Sequence, residues 1–545
     1  MNLFIIMWWL CLLISGCGSQ PMKQQSDIAK SNTINSTEKL SLYVCSGSEQ
    51  SMILDTAKVS SMCGLSACRH LYEGLFKLGQ DGEITNGQVK EYSVSEDKMT
   101  YFFYLRDDIF WSDGKPVTAD DFVYAWRRLI CEGESYASLL DMVVGAKEIR
   151  QGQQKIETLG VKALDDKTLL VELEYPCSYF LEILAFPPTY PVREDIVKAQ
   201  GDLYATDPER TVYNGAFSLE KWQHQDDLVM RARKNYYAYE EIQVEELTWK
   251  LFSNESTMLA SFESGDIVYS DTYPSEEAER MKGNGLQIVP GLQTYGVLVN
   301  LGNNGAEVLR DVRVRKALCL AIDRERIVQL EKTESTVADA YMPRGIVDEN
   351  GKDFHEKLDV WYDTNDFESN CKEAKALLAQ AGYPNGENFP ILKYLVNNAK
   401  NQSIAEMILH DWKTYLGIDS VTIVTNTDSF WADRATGNYD LAYFSWNMDI
   451  AEGSNMLNTM LSGANDAFFS NELYDLTLQT AQKKTNIQDI WKNYRLCENI
   501  LSEELPVFPI YYGSNTYLFN DENYENLVYH CGNFYFGYVN KKGEE

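Results

Sequence analysis

The side chains able to do covalent or metal chemistry are scattered along this sequence instead of being gathered into motifs. The five histidines, His70, His224, His355, His410 and His530, form no ligand cluster, and no C-x-x-C pair is followed by a second at zinc spacing. A G-x-S-x-G elbow, an H-E-x-x-H helix and a phosphate-cradling glycine loop are absent. No metal and no cofactor is called for. Carboxylates are the abundant reactive class: 81 Asp and Glu stand against 49 Lys and Arg, a net charge of −32. A glycosidase-like pair of acids is the catalytic chemistry that such abundance allows. The charge itself repels polyanions, which excludes nucleic acid and anionic lipid surfaces as partners. For ligand capture it has two readings, a bias toward cations or a solvated surface without selective meaning. Nine cysteines follow Cys17, an odd number, so at least one stays outside any intrachain pair. Most read as small buried hydrophobes.

The address comes from the first residues. Met1 to Gly16, MNLFIIMWWLCLLISG, carries no side-chain charge. It is shorter than the ~20 residues a spanning helix needs, so residues 1–16 read as a signal peptide. Leu13-Ile14-Ser15-Gly16-Cys17 resembles a bacterial lipobox, although the usual Lys or Arg of the leading segment is missing. That resemblance implies cleavage before Cys17 and a lipid on Cys17. Residues 17–39 then form a polar tether with almost nothing to bury. Its reach is roughly 25 Å as a coil and roughly 70 Å fully extended. The protein is expected at the cell membrane, lipid-anchored on the extracellular or periplasmic side.

The elements that must position any site begin after the tether. About 500 residues exceed one hydrophobic core, so at least two domains are expected. Strand-like segments, Thr168 to Leu173, Tyr295 to Leu301 and Val421 to Thr425, alternate with helices such as Lys372 to Ala381, which Gly382 caps and Pro384 stops. This pattern is α/β. There is no internal repeat and no low-complexity linker past Lys39, so crossings between domains are expected to be short ordered strands. The densest signals run from Leu71 to Arg128. Asp81-Gly82 is a turn between two apolar runs. Tyr101 to Leu105 is an aromatic strand, and Ser112-Asp113-Gly114 turns after Trp111. Thr118 sits at an N-cap with Asp121 three residues on, and Phe122, Trp126 and Leu129 share one helical face. Arg127 and Arg128 fall near the end of that helix, where its dipole favours cations.

This stretch, with its W-S-D-G-x-P-V-T-A-x-D-F order, resembles the extracellular solute-binding proteins of the peptide/nickel class, the lipoproteins that capture substrates for ABC importers. Blocks such as Asn214-Gly215-Ala216-Phe217 and Asp311 to Leu318 extend the resemblance over nearly the whole chain. It implies a bilobal, periplasmic-binding-protein-like clamshell with an additional inserted domain. Lobe I would comprise residues 40–77, 194–291 and 502–545, the inserted domain 78–193, and the opposing lobe 292–501. It also implies a monomer that binds oligopeptides, delivers them to ABC permease subunits and does no covalent chemistry. A nickel-chelate or sugar receptor of the same class, or a receptor for a peptide signal, is the alternative, and a secreted hydrolase the remote one.

Phe444 to Glu452 resembles the ligand-binding loop of the oligopeptide branch. By that resemblance Asp449, three residues past Trp446, receives the peptide's α-ammonium; capping the next helix is its other reading. Ser445 and Asn447 would bind the peptide backbone as an added strand does. Arg434 would meet a ligand carboxylate or lie in the turn before Gly437. Met62 would offer an edge from the facing lobe, while Tyr136 and Tyr511 supply hydroxyls or pack in the core. Well-studied members carry bridged cysteines where this chain has Gln293 and Asn447, so that staple is missing here. The loop around Trp446 is expected to be more mobile in consequence.

Overall fold

The computed structural model describes residues 39–47, 51–133, 135–251, 254–331, 334–348, 350–360, 362–448, 450–463 and 465–543. The expected signal peptide, Cys17 and all but the last residue of the expected tether lie outside this set, as does Asp449. Among the described residues no helix is long and apolar enough to cross a membrane.

An eleven-stranded mixed sheet runs through the molecule. Two strands at its middle, Leu286–Val299 and Val507–Phe519, pair antiparallel along most of their length. They are rich in Val, Ile, Tyr and Phe, which suit a pleated, half-buried surface. At 14 and 13 residues they are not the short crossings expected from the sequence. Pro290 is tolerated because the ladder breaks beside it: Pro290 pairs with Ser514 and Thr294 with Tyr512, leaving three residues opposite Gly513 alone. Gly291 lies so close to the facing strand there that an added Cβ would come 2.7 Å from the Gly513 carbonyl oxygen. On one side of this bulge the sheet continues through Tyr269–Ser270, Leu40–Cys45, Val244–Lys250, Asp227–Ala232 and Phe217–Gln223. On the other it continues through Leu441–Asn447, Leu392–Val396 and Ser420–Val424.

The second group is a two-faced α/β layer, and the faces follow from strand periodicity. Val297, Val299, Tyr394 and Leu441 enter one buried cluster, whereas Leu298, Leu395, Ala442 and Phe444 enter another on the opposite face. Helices cover both, among them Phe367–Gln380, which starts five residues before the helix expected at Lys372 because Asp366 caps it by accepting from the Ser369 amide.

The first group carries the insertion. Its antiparallel sheet of four strands, in the order Val89–Val94, Thr100–Leu105, Thr168–Glu172, Val161–Asp165, lies beside the helix Ala119–Glu132. Asp121 accepts from the Thr118 amide at 2.9 Å and from Trp111 Nε1 at 3.1 Å, fixing the start of that helix, and Phe122, Trp126 and Leu129 are fully buried. The insertion's buried side chains form one continuous cluster with those of the strands Leu40–Cys45 and Val244–Lys250.

Arg128 is not a surface cation at a helix end. It is buried and holds Asp55 through two bonds of 2.6 Å, tying the inserted helix to the loop after the first strand. Removing one member of such a pair strands the other as a buried charge, at a cost of about 3–5 kcal/mol. Arg128→Met should therefore lower the denaturant midpoint by that equivalent, and Asp55→Leu added to it should recover part of the loss. A shift below about 1 kcal/mol would mean water replaces the lost partner.

Candidate functional site

The site is built where the two groups of strands face each other. From one side comes the helix Met62–Leu71, whose start is fixed by Ser61 accepting from the Gly64 amide at 3.1 Å. The C-terminal hairpin, Val528–His530 with Asn533–Tyr535, is clamped onto it. Phe534 donates its amide to Ser66 Oγ at 3.0 Å, and Phe536 donates to His70 Nε2 at 2.9 Å. His70 Nδ1 lies 2.7 Å from the Ser66 carbonyl oxygen. Burial pushes the His70 pKa down to about 3, so the ring stays neutral, donating from Nδ1 and accepting at Nε2.

From the other side comes Leu441–Asn447. One edge pairs with Leu286–Val299, so that Gln293 stands opposite Asn447, Thr294 opposite Trp446 and Tyr295 opposite Ser445. On the other edge Leu392–Val396 reaches only as far as Ala442. Beyond Ala442 no second strand pairs with it among the described residues. Trp446 is 38% exposed, and Ser445 and Asn447 are half-buried.

Between the two sides lies a cavity of about 220 Å³, far above the ~10–15 Å³ a single water needs. Met62, Cys63 and Ser66 line it from the helix, Gly532 and Phe534 from the hairpin, Gln293 and Asn447 from the opposing strands, and Asp271 from beside the first strand. Its main-chain edges, amides and hydroxyls can hold a polar, extended ligand by hydrogen bonds. Among the described residues no group of acids, histidines and cysteines is placed to hold a metal ion.

Of the residues singled out in the sequence, Met62 and Asn447 line this cavity, and Ser445 and Trp446 belong to the same strand as Asn447. Met448 and Ile450, which flank Asp449, are buried in different clusters. Met448 packs in the far lobe, its amide donating to the Leu292 carbonyl at 2.8 Å, and Ile450 packs against the near lobe and the insertion. Arg434 is not in the lining. It is buried, pairs with Asp466 at 2.9 Å and lies 4.8 Å from the Trp431 ring centre. Tyr136 packs edge-on to Phe186 in the insertion, and Tyr511 is buried and stacked on Tyr295 at 4.5 Å. The sequence carries no local signal for Asp271 or for the C-terminal hairpin. Asp271 follows a strand of two residues, too short to leave a periodic signal.

The lobes touch across the cleft. Lys98 Nζ in the insertion donates to the Thr485 carbonyl at 3.2 Å, and Glu182 of the insertion feels Glu452 of the far lobe. Glu182 Oε2 is buried without a hydrogen-bond partner. Burial first, and Glu452 second, push its pKa up to about 7. Burial also raises Glu452, while it lowers nearby His530 to about 4.

The family model for bacterial extracellular solute-binding proteins, family 5, matches residues 83–468, and the chain belongs to that family. It is a binding protein and not an enzyme. The periplasmic oligopeptide-binding protein OppA of Escherichia coli is 30% identical over 492 residues, covering 88% of each chain. A probable deoxycholate-binding periplasmic protein, YgiS, of the same organism is 28% identical, covering 84% of this chain and 85% of its own. The structure of Haemophilus influenzae OppA in complex with the peptide RPPGFSPFR superposes with a TM-score of 0.74 at 25% identity, covering 92% of this chain and 99% of that one. The fold is the bilobal one of these binding proteins.

Glu182 gives the closed arrangement a pH dependence with a definite sign. Burial holds its pKa at about 7 in this arrangement against an ordinary 4.5, so an opening that hydrates the carboxyl would release protons in that window. The stabilisation is fully present below about pH 4.5 and is lost as the pH rises through 7. Scattering measurements should show a more open protein at pH 8 than at pH 5.5, and Glu182→Gln should flatten the profile. Parallel profiles for the two proteins would assign the dependence to another group.

Proposed function

We propose that this protein captures oligopeptides between its lobes and delivers them to the permease of an ABC importer. The observation that carries this reading is the edge of Phe444–Asn447, which has no second strand among the described residues and, through Asn447, shares a cavity with the start of the helix Met62–Leu71. A strand edge of this kind binds an extended chain through main-chain hydrogen bonds, which read no side chain and so admit varied sequences. The OppA relatives support it by what their names record. A bile-salt-like ligand, the second reading, draws on the deoxycholate-binding relative. Such a ligand has no peptide units to pair with a strand edge.

In this proposal Asp449 accepts the α-ammonium, a group with an ordinary pKa of about 7.7–8.0 and thus mostly cationic at neutral pH. Ser445, Asn447 and Met62 supply backbone edges and Trp446 an exposed ring. Arg434 is left to Asp466, and Tyr136 and Tyr511 to packing. The lobes divide at residues 291/292 and 501/502, with 78–193 inserted, and a monomer is held at the membrane by a lipid on Cys17 after removal of residues 1–16. The polar tether leaves the body able to reorient toward a permease.

Two results are expected. Asp449→Asn should weaken binding of a free peptide by roughly 10- to 150-fold, as the loss of a charge-assisted bond implies. Calorimetry with the same peptide N-acetylated should show a comparable loss for the wild type, and equal affinity for the free and acetylated forms would reject the anchor. Cys17→Ser should move the protein from the membrane fraction to the soluble fraction, since a single lipid-bearing residue holds it. A mutant still in the membrane pellet would mean that the N-terminal segment stays attached.

A further inference from the structure

We propose that the cavity between the lobes is a subsite for a basic side chain, recognised by Asp271, so that the preferred ligands are peptides with lysine or arginine at the position whose side chain enters it. This rests on the peptide reading above and goes beyond it, because a backbone-binding edge alone is indifferent to side chains.

Among the described residues Asp271 is the one formally charged member of the lining. Neither lysine, arginine nor histidine contributes to it, and among the described residues no ion pair is made to Asp271. Burial pushes the Cys63 thiol and the Tyr517 and Tyr529 phenols upward, so all three are neutral near pH 7. The carboxylate is held in place by its own lobe. Thr272 Oγ1 donates to it at 3.0 Å, the Gly47 amide at 3.4 Å and the Ser46 hydroxyl to the second oxygen. A carboxylate offers about four acceptor positions, so capacity remains for an incoming donor. The strand before it is locked on both sides, Tyr269–Ser270 pairing with Val44–Cys45 and with Leu518–Phe519.

Burial raises the carboxyl's pKa, which is the mark of a buried charge still lacking a cationic partner. A lysine ammonium or arginine guanidinium supplies one. The remaining walls suit the rest of such a side chain. Met62, Tyr517 and Phe534 offer apolar and aromatic surface to a methylene stem, and ring faces attract the cation itself. The side-chain oxygens of Gln293 and Asn447 are acceptors on the opposite wall. An acidic side chain would meet Asp271 with no neutralising group nearby. The net charge of −32 adds a long-range attraction of the same sign.

Calorimetry on the purified protein, with alanine-based peptides carrying lysine, norleucine or glutamate at each position in turn and identical termini throughout, tests this. At one position lysine should bind roughly 10- to 150-fold tighter than norleucine, with glutamate weakest, and Asp271→Asn should abolish the lysine–norleucine difference. The wild-type comparison stands by itself if that variant does not fold, since Asp271 also holds Ser46 and Gly47. Equal affinity for lysine and norleucine at every position overturns the subsite and leaves peptide binding intact. A difference retained in Asp271→Asn also overturns it. If no peptide binds, the peptide reading falls and the subsite with it.

Discussion

The antiparallel ladder between Leu286–Val299 and Val507–Phe519 holds the two lobes in one frame. It joins two sets of strands into one sheet, so the lobes are connected by backbone hydrogen bonds and not only by side-chain packing. It also sets the site. Gln293 and Thr294 place Asn447 and Trp446 by register on one flank, while Asn515 to Tyr517 enter the cavity wall on the other. The bulge opposite Gly513 interrupts the register of this ladder, and the close approach of Gly291 to the Gly513 carbonyl allows no side chain there. Two paired strands resist shear but yield to bending, which would suit the proposed shutting of the lobes over a ligand.

Closure is then a balance of terms that differ between open and shut forms. Contacts such as Lys98 with Thr485, and the burial of Ile450 against the near lobe, favour the shut form. Bringing the Glu182 and Glu452 carboxyls together in a dry interface opposes it above neutral pH. A ligand moves the equilibrium only by its differential affinity for the two forms. A peptide bound along the Phe444–Asn447 edge while touching Met62 across the cavity meets that requirement, because the second contact exists only when the cleft is shut.

Local features were the legible ones. The helix Ala119–Glu132 was readable because its cap, its apolar face and the turn before it lie within a few residues, and the strands Thr168–Glu172 and Ser420–Val424 declared themselves by alternation and β-branched content. Pairings distant in sequence were not. Nothing near Arg128 points to Asp55, 73 positions away, and a lone arginine after an amphipathic run looks like a solvated helix end. The full length of Leu286–Val299 was hidden by Pro290, normally a strand breaker, which is tolerated because its own strand bulges there, with three residues opposite Gly513 alone. In the site, the run around Trp446 was recognisable as a block, and Gln293 and Asn447, singled out for the missing staple, prove to be register partners. Asp271 and the hairpin at 528–535 reach the cavity only through tertiary pairing, which no local pattern encodes.

In the proposed capture a peptide completes the edge of Leu441–Asn447 while the lobes are shut upon it. Native mass spectrometry of protein purified from its own host, without refolding, tests this most directly. The expected adducts release on activation and fragment as peptides with unmodified amino termini. Adducts that fragment as a sterol, a sugar or a metal chelate, or a bare protein that gains no mass from a mixed peptide pool, would contradict it.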